Sequence, residues 1–199
     1  MFHKIDQWLE VITEKMVLWI SDESSVTEEQ LIIRKFALQS IVNEVLKLII
    51  LAIFFGMLGE LTLYVCCVVT LTSTRCFMGG MHRKTMLGCF LQSLIIFMAV
   101  IQMGKQLYIY PYHSMIYIVS LIVIWKCSPI ISEARMQYSD ASKMKFRAKA
   151  ISSILCIACI TEIVSNDIKN CVIWMLLFQS METFVVYVIK ECRERRKCA

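Results

Sequence analysis

Residues 88–104 read Gly-Cys-Phe-Leu-Gln-Ser-Leu-Ile-Ile-Phe-Met-Ala-Val-Ile-Gln-Met-Gly, seventeen positions without a charged side chain. As an α-helix this stretch rises about 25 Å, close to the roughly 30 Å of bilayer hydrocarbon that about 20 residues cross. It is one of six such blocks, at roughly 38–58, 61–74, 88–104, 112–127, 150–166 and 170–189. The second is short, so it is expected to tilt, thin the bilayer or insert only in part. Gly56 and Gly59-Glu60 mark a tight reversal between the first two. The whole chain of 199 residues is 58% hydrophobic and 19% charged, with a mean hydropathy of +0.64. A soluble enzyme cannot expose such blocks to water. Six Gly and two Pro are too few for a loop-rich β-protein or a disordered chain. The expected fold is all-α: a polytopic membrane helical bundle of about six transmembrane spans plus an N-terminal amphipathic interfacial helix. Residues 1–36 are expected to form amphipathic cytosolic or interfacial helices, and 37–199 the transmembrane domain.

The first segment has its own period. Ile5, Trp8, Leu9, Ile12, Met16, Trp19 and Ile20 recur at steps of three and four, with Asp6, Glu10, Glu14 and Lys15 between them. That is an amphipathic helix too charged to span. A helix lying on the membrane and one packed on the protein's own bundle fit it equally. The early acids also do not suit a cleavable signal peptide. Thr27 with Gln30 three residues on is a capping-box pattern that opens a second helix.

Charge gives the orientation. Residues 1–36 hold seven acids against four Lys/Arg, leaving the rest of the chain at net +8. The basic residues gather in three places: Arg75, Arg83 and Lys84; Lys126, Arg135, Lys143, Lys145, Arg147 and Lys149; and the tail from Lys190 to Lys197. The turns near 56–60, 105–111 and 167–169 have at most one basic residue each. With six spans the two sets alternate, which puts both termini and every basic loop in the cytosol. Basic residues confined to short loops between apolar blocks argue against a nucleic-acid partner. The ten cysteines lie mostly in apolar runs or beside basic loops, so structural disulfides are not expected.

Of three histidines, His3 belongs to the interfacial helix and His113 to the outer end of the fourth block. His82 lies in the cytosolic stretch Arg75-Cys76-Phe77-Met78-Gly79-Gly80-Met81-His82-Arg83-Lys84-Thr85-Met86-Leu87-Gly88-Cys89. A thiol nucleophile needs a base, and a helix N-terminus with nearby cations favours its thiolate. Cys89 has His82, Arg83 and Lys84 close in sequence and stands where the third span starts. On one unbroken helix, seven residues separate the two Cα atoms by roughly 10 Å, too far for a hydrogen bond. The chain must therefore bend between them, or one side chain must reach along the groove; Gly88 is one place for this, and Gly79-Gly80 give the loop freedom. An interfacial His and a packed Cys without chemistry fit the same spacing.

The run Arg75-x-x-x-Gly79-Gly80-x-His82 followed by Cys89 resembles the signature of the accessory gene regulator protein B (AgrB) family, membrane cysteine endopeptidases of Gram-positive bacteria that process quorum-sensing peptide precursors. The general plan is similar too, with a second basic loop opened at Ser128-Pro129 and running to Lys149. The resemblance implies a catalytic transmembrane domain with its active-site segment at 75–89 and a basic loop at 128–149. It implies Cys89 as nucleophile and His82 as general base, then acid. Cys89 would release the C-terminal segment of an AgrD-like precursor, hold the remainder as a thioester, and pass it to a substrate cysteine that closes a thiolactone. Acyl transfer between two thiols is nearly isoenergetic, which suits Cys to the role. Arg75 would orient the loop or bind a substrate carboxylate, simple positive-inside anchoring being the alternative, and Gly79 and Gly80 would permit the backbone path. Lys143, Lys145, Arg147 and Lys149 would receive an acidic precursor tail, anionic lipid, or both. A homodimer is expected from the same resemblance.

Cys156-Ile157-Ala158-Cys159 has the CxxC spacing but no partner ligands, so no metal or cofactor is expected. Glu44, Lys47, Glu162 and Glu182 lie within or near spans, where a charge normally faces a partner or a wet cavity. Glu44 and Lys47 are spaced to pair on one helix face. Two other classes of function remain: a small peptide transporter or exporter, which leaves the His82 and Cys89 motif unused, and a non-catalytic membrane interaction subunit. No transporter-like internal repeat is visible.

Overall fold

The computed structural model describes Lys15 and residues 28–78, 86–129 and 139–198. They form six α-helices: α1 (Glu28–Met57), α2 (Leu61–Met78), α3 (Met86–Gln106), α4 (His113–Cys127), α5 (Asp140–Thr161) and α6 (Asn166–Cys198), with a short 3-10 turn at Tyr110–Tyr112. No strand occurs among the described residues. Each apolar block falls on one helix. Three stretches, Leu61–Met78, Leu87–Gln106 and Asn166–Arg193, are long and apolar enough to cross a membrane, and His113–Cys127 is a shorter apolar helix. The interfacial helix expected in the first 27 residues lies outside the described residues, apart from the helical, exposed Lys15.

Two elements differ from the sequence reading. The block at 61–74, short for a crossing, belongs to an 18-residue helix of sufficient length. Its Thr-Ser run is accommodated within the helix, the hydroxyls donating back to the preceding turn, Thr72 to the Val68 carbonyl at 2.7 Å and Thr74 to the Thr70 carbonyl at 2.8 Å. The second difference is at the basic loop. Its last ten residues are helical, since α5 starts at Asp140, so Lys143–Lys149 ride on helical turns. Ser139 caps this helix, accepting from the Ser142 amide at 3.3 Å, and Asp140 places a negative charge in the first turn.

Polarity is distributed inside out. Ile41, Ile49, Ile53, Val69, Ile95, Ile118, Ile122 and Phe184 are exposed, while Lys47, Thr74, Ser120, Asn170, Gln179, Ser180, Glu182 and Thr183 are buried. Exposed aliphatic faces and polar side chains turned inward are the arrangement expected of helices whose surroundings are apolar.

The chain divides into two compact units. Among the described residues the first holds α1 and the opening of α3 to Leu94, with Lys47, Leu51, Phe55 and Ser93 buried. Gly59 ends it with φ of +74°, a left-handed turn that favours glycine, its amide donating to the Gly56 carbonyl at 3.1 Å.

The second unit holds α2, the rest of α3, and α4 to α6. Its core packs Met78, Ile124, Ala150, Ile154, Ile157, Val172 and Leu176 together. Hydrogen bonds tie its helices: Ser180 to Ser120 at 2.8 Å between α6 and α4, and Tyr117 with Thr161 at 2.7 Å between α4 and α5. At one end, Asn170 closes the turn after α3, donating to the Gly104 carbonyl and to the Leu107 carbonyl at 2.8 Å and accepting from the Ile109 amide at 2.8 Å. Lys105 pairs there with Glu60, and His113 Nε2 lies 3.9 Å from Glu162 Oε1. Gly104 lets α3 approach α6: a Cβ on it would stand 3.1 Å from the Cys171 Cα. A Gly104→Val substitution is therefore expected to force the helices apart, costing about 1–3 kcal/mol and lowering the thermal-unfolding midpoint in detergent. Gly56→Ala, with nothing near its Cβ, should move that midpoint far less.

Candidate active site

Cys89 occupies the first turn of α3, which starts at Met86, and is half-buried. The unbonded N–H groups and positive dipole end of a helix lie at such a position. Gly88 is inside this helix, so the change of direction expected near it does not occur at that residue. His82, Gly79 and Gly80 lie outside the described residues.

The same unit brings a charged pair to Cys89. Lys47 Nζ donates to Glu44 Oε1 at 2.7 Å and to Cys89 Sγ at 3.7 Å. The Lys47 side chain is 7% exposed and that of Glu44 44%. The pairing of Glu44 with Lys47 follows from their spacing on one helix face. The approach of Lys47 to Cys89, 42 residues along the chain, does not, and the one signal for it was a lysine within an apolar run.

In the second unit Arg75 stands in the last turn of α2 and meets Glu182 on α6, Nη2 to Oε1 at 3.4 Å. The Glu182 side chain is 5% exposed and that of Arg75 21%. A carboxylate buried in an apolar helix thus has a guanidinium as counter-ion, which gives Arg75 a structural duty beside any role toward substrate.

The basic residues of α5 do not act as one set. Lys143 and Arg147, one turn apart, line a cavity of about 200 Å³ together with Lys126 and Lys190, while Cys127, Ser128-Pro129, Tyr187 and Glu191 complete its wall. Arg147 Nε donates to the Ser128 carbonyl at 2.6 Å, and Ser128 Oγ to the Phe77 carbonyl at 3.3 Å, which ties the end of α4 to the ends of α2 and α5. The Ser128-Pro129 bond is cis. Lys143 also donates to Asp140 Oδ1 at 2.9 Å, and this hydrogen bond and charge hold the Asp140 carboxyl below the usual carboxylate range. Lys145 is exposed, and Lys149 sits 5.9 Å above the Phe77 ring; neither lines the cavity. Cys156 and Cys159 are exposed free thiols, and no group of three metal-ligating side chains occurs among the described residues.

No solved structure matches the chain. A protein of Clostridium beijerinckii named for its likeness to AgrB is 20% identical over 184 residues, covering 89% of each chain. The sequence model described as accessory gene regulator B matches residues 13–183. With most of its length covered by that match, the chain belongs to the AgrB family, membrane proteins with a role in processing quorum-sensing autoinducer precursors.

Proposed function

We propose that this chain is a membrane-embedded cysteine endopeptidase acting on an AgrD-like precursor, with Cys89 as nucleophile and His82 as its base. The observation that carries the reading is Cys89, half-buried in the first turn of α3 with a buried ammonium donating to its sulfur. His82 takes the Cys89 proton, the thiolate adds to the scissile carbonyl, and the C–N bond breaks as His82 protonates the leaving amine. The C-terminal segment departs, and the rest stays on Cys89 as a thioester. The thiol of a substrate cysteine then gives its proton to His82 and attacks the thioester carbonyl, the C–S bond to Cys89 breaks with Cys89 leaving as thiolate, and a thiolactone closes.

The second unit supplies the site for the departing segment in this reading. Its cavity of four cations fits carboxylates, and anionic lipid headgroups share that chemistry. The protein works as a multi-pass cell-membrane protein of a Gram-positive bacterium, both termini cytosolic, as a homodimer in contact with lipid. The pairing of Glu60 with Lys105 and of His113 with Glu162 supports the alternation of sides, since Glu60 and Lys105 come from turns read as external, His113 from the outer end of the fourth block and Glu162 from the same end of the fifth. The basic ends of α2, α4, α5 and α6 gather around Ser128 and its cavity instead.

Cleavage of an AgrD-like precursor peptide, in liposomes containing the purified protein, tests the reading. His82→Ala should abolish cleavage, whereas Cys76→Ala, an exposed thiol at the end of α2, should retain it. Loss in the Cys76 variant alone would reject Cys89 as nucleophile. For the cavity, Arg147→Gln with Lys143→Gln should slow cleavage about tenfold or more for a precursor with an acidic tail. The same pair should have little effect once the tail acids are replaced by amides.

A further inference from the structure

We infer that Lys47 activates the nucleophile: its ammonium holds the Cys89 thiolate when the sulfur attacks and again when it leaves the thioester. The inference rests on Cys89 being the nucleophile. It begins with an oddity of α1. Val45, Ile49 and Ile50 around Lys47 are exposed on the aliphatic face of the helix, whereas Lys47 itself is only 6% exposed. Lys47 stands near the middle of the apolar block at 38–58, and a lysine in a membrane helix normally runs its stem along the apolar surface toward water. This one is turned inward, and a buried ammonium is retained only where its N–H groups and its charge are matched.

The two partners divide those tasks. Glu44 at 2.7 Å supplies the compensating charge from the more open end, and Cys89 Sγ at 3.7 Å takes a second N–H. With the thiol protonated, Lys47 and Glu44 form a neutral pair. Once the proton has passed from sulfur to the base, the thiolate lies against a positive group already in place, without reorganisation. The first turn of α3 adds its dipole at the same atom. Lys47 takes no part in the proton transfer. The S–H bond breaks toward the base, the C–N bond of the precursor breaks toward the amine, and in the second half the C–S bond to Cys89 breaks with both electrons on sulfur. A cation beside that sulfur lowers the barrier to both thiolate-forming steps.

The test needs no precursor. The full-length protein in liposomes is treated with iodoacetamide at pH 7, and alkylation of Cys89 is followed by peptide mass spectrometry, with the exposed Cys192 of α6 as internal reference. Lys47→Met should slow Cys89 alkylation about tenfold or more. Lys47→Arg should stay within about threefold of the parent, and Cys192 should be unchanged in both. Glu44→Gln removes the competing negative charge and should raise the Cys89 rate or leave it level. Alkylation of Lys47→Met at the parental rate overturns the inference. So does an equal loss in Lys47→Arg, which would assign the effect to shape, or a fall in Glu44→Gln. Where Lys47→Met also alters Cys192, its fold is disturbed, and the Lys47→Arg and Glu44→Gln results decide. A parent that alkylates as expected but cuts no precursor would count against the peptidase reading alone. A parent that cuts, with Lys47→Met alkylating and cutting equally well, would count against Lys47 alone.

Discussion

Replacing Cys89 by alanine is expected to lower precursor cleavage by about 10⁴-fold or more, with helix content and membrane insertion unchanged. The size follows from chemistry. Neither water nor any neighbouring side chain replaces a thiolate held in the first turn of a helix beside an ammonium, and without it no acyl-enzyme forms. The fold should tolerate the change, because Cys89 is half-buried and alanine is the best helix former. Cys89→Ser separates the two half-reactions. The hydroxyl keeps the shape but is a weak nucleophile, and its oxygen ester is a poor donor to a thiol, so residual cleavage should yield linear rather than cyclic product. Gel analysis of the precursor with mass analysis of the product checks both. Cleavage by Cys89→Ala at the parental rate would remove this residue from the mechanism.

The second large effect is expected at the other charged pair. Arg75→Met takes the guanidinium from beside the Glu182 carboxylate, whose side chain is 5% exposed. Breaking a buried ion pair from one side costs about 3–5 kcal/mol; with the Arg75 side chain 21% exposed, a value near the lower figure is expected. It should appear as a lower unfolding midpoint in detergent. Arg75→Met combined with Glu182→Leu removes both charges and should recover most of the lost stability, as matched apolar replacements of buried pairs do. Activity divides the roles of Arg75. Recovery of stability without recovery of cleavage would assign it contact with substrate, whereas recovery of both would leave it a structural counter-ion. A single Arg75→Met variant as stable as the parent would contradict the pairing.

The helices were legible because hydropathy is a local property. Leu61–Met78, Leu87–Gln106 and Asn166–Arg193 each announce themselves by a long apolar run with few charges, and the start of α3 just before Cys89 followed from the change from Arg83-Lys84 to apolar residues. The family was legible in the spacing from Arg75 to Cys89. Hydropathy was blind to Lys143–Lys149, because charge marks what stays out of the hydrocarbon and not what stays out of a helix; Ser139 and Asp140 were the signal there. The contacts that give the buried charges their meaning were not legible at all. Lys47 finds Cys89 across 42 residues and Arg75 finds Glu182 across 107, and no local pattern encodes such a meeting. Glu182 was readable as a costly charge near mid-span, and its partner came only with the packed helices. The same holds for Asn170, which closes the turn after α3 from the start of α6.

The central claim is that Cys89 carries the precursor as a thioester, and intact mass spectrometry of the purified protein in liposomes with its precursor tests it most directly. The account predicts an adduct equal to the precursor minus its C-terminal segment, mapped to Cys89, released by hydroxylamine and absent from Cys89→Ala. A precursor that is cut with no hydroxylamine-labile adduct on Cys89, or with the adduct on another cysteine, would contradict it. An intact precursor accumulating inside the vesicles would identify a transporter instead.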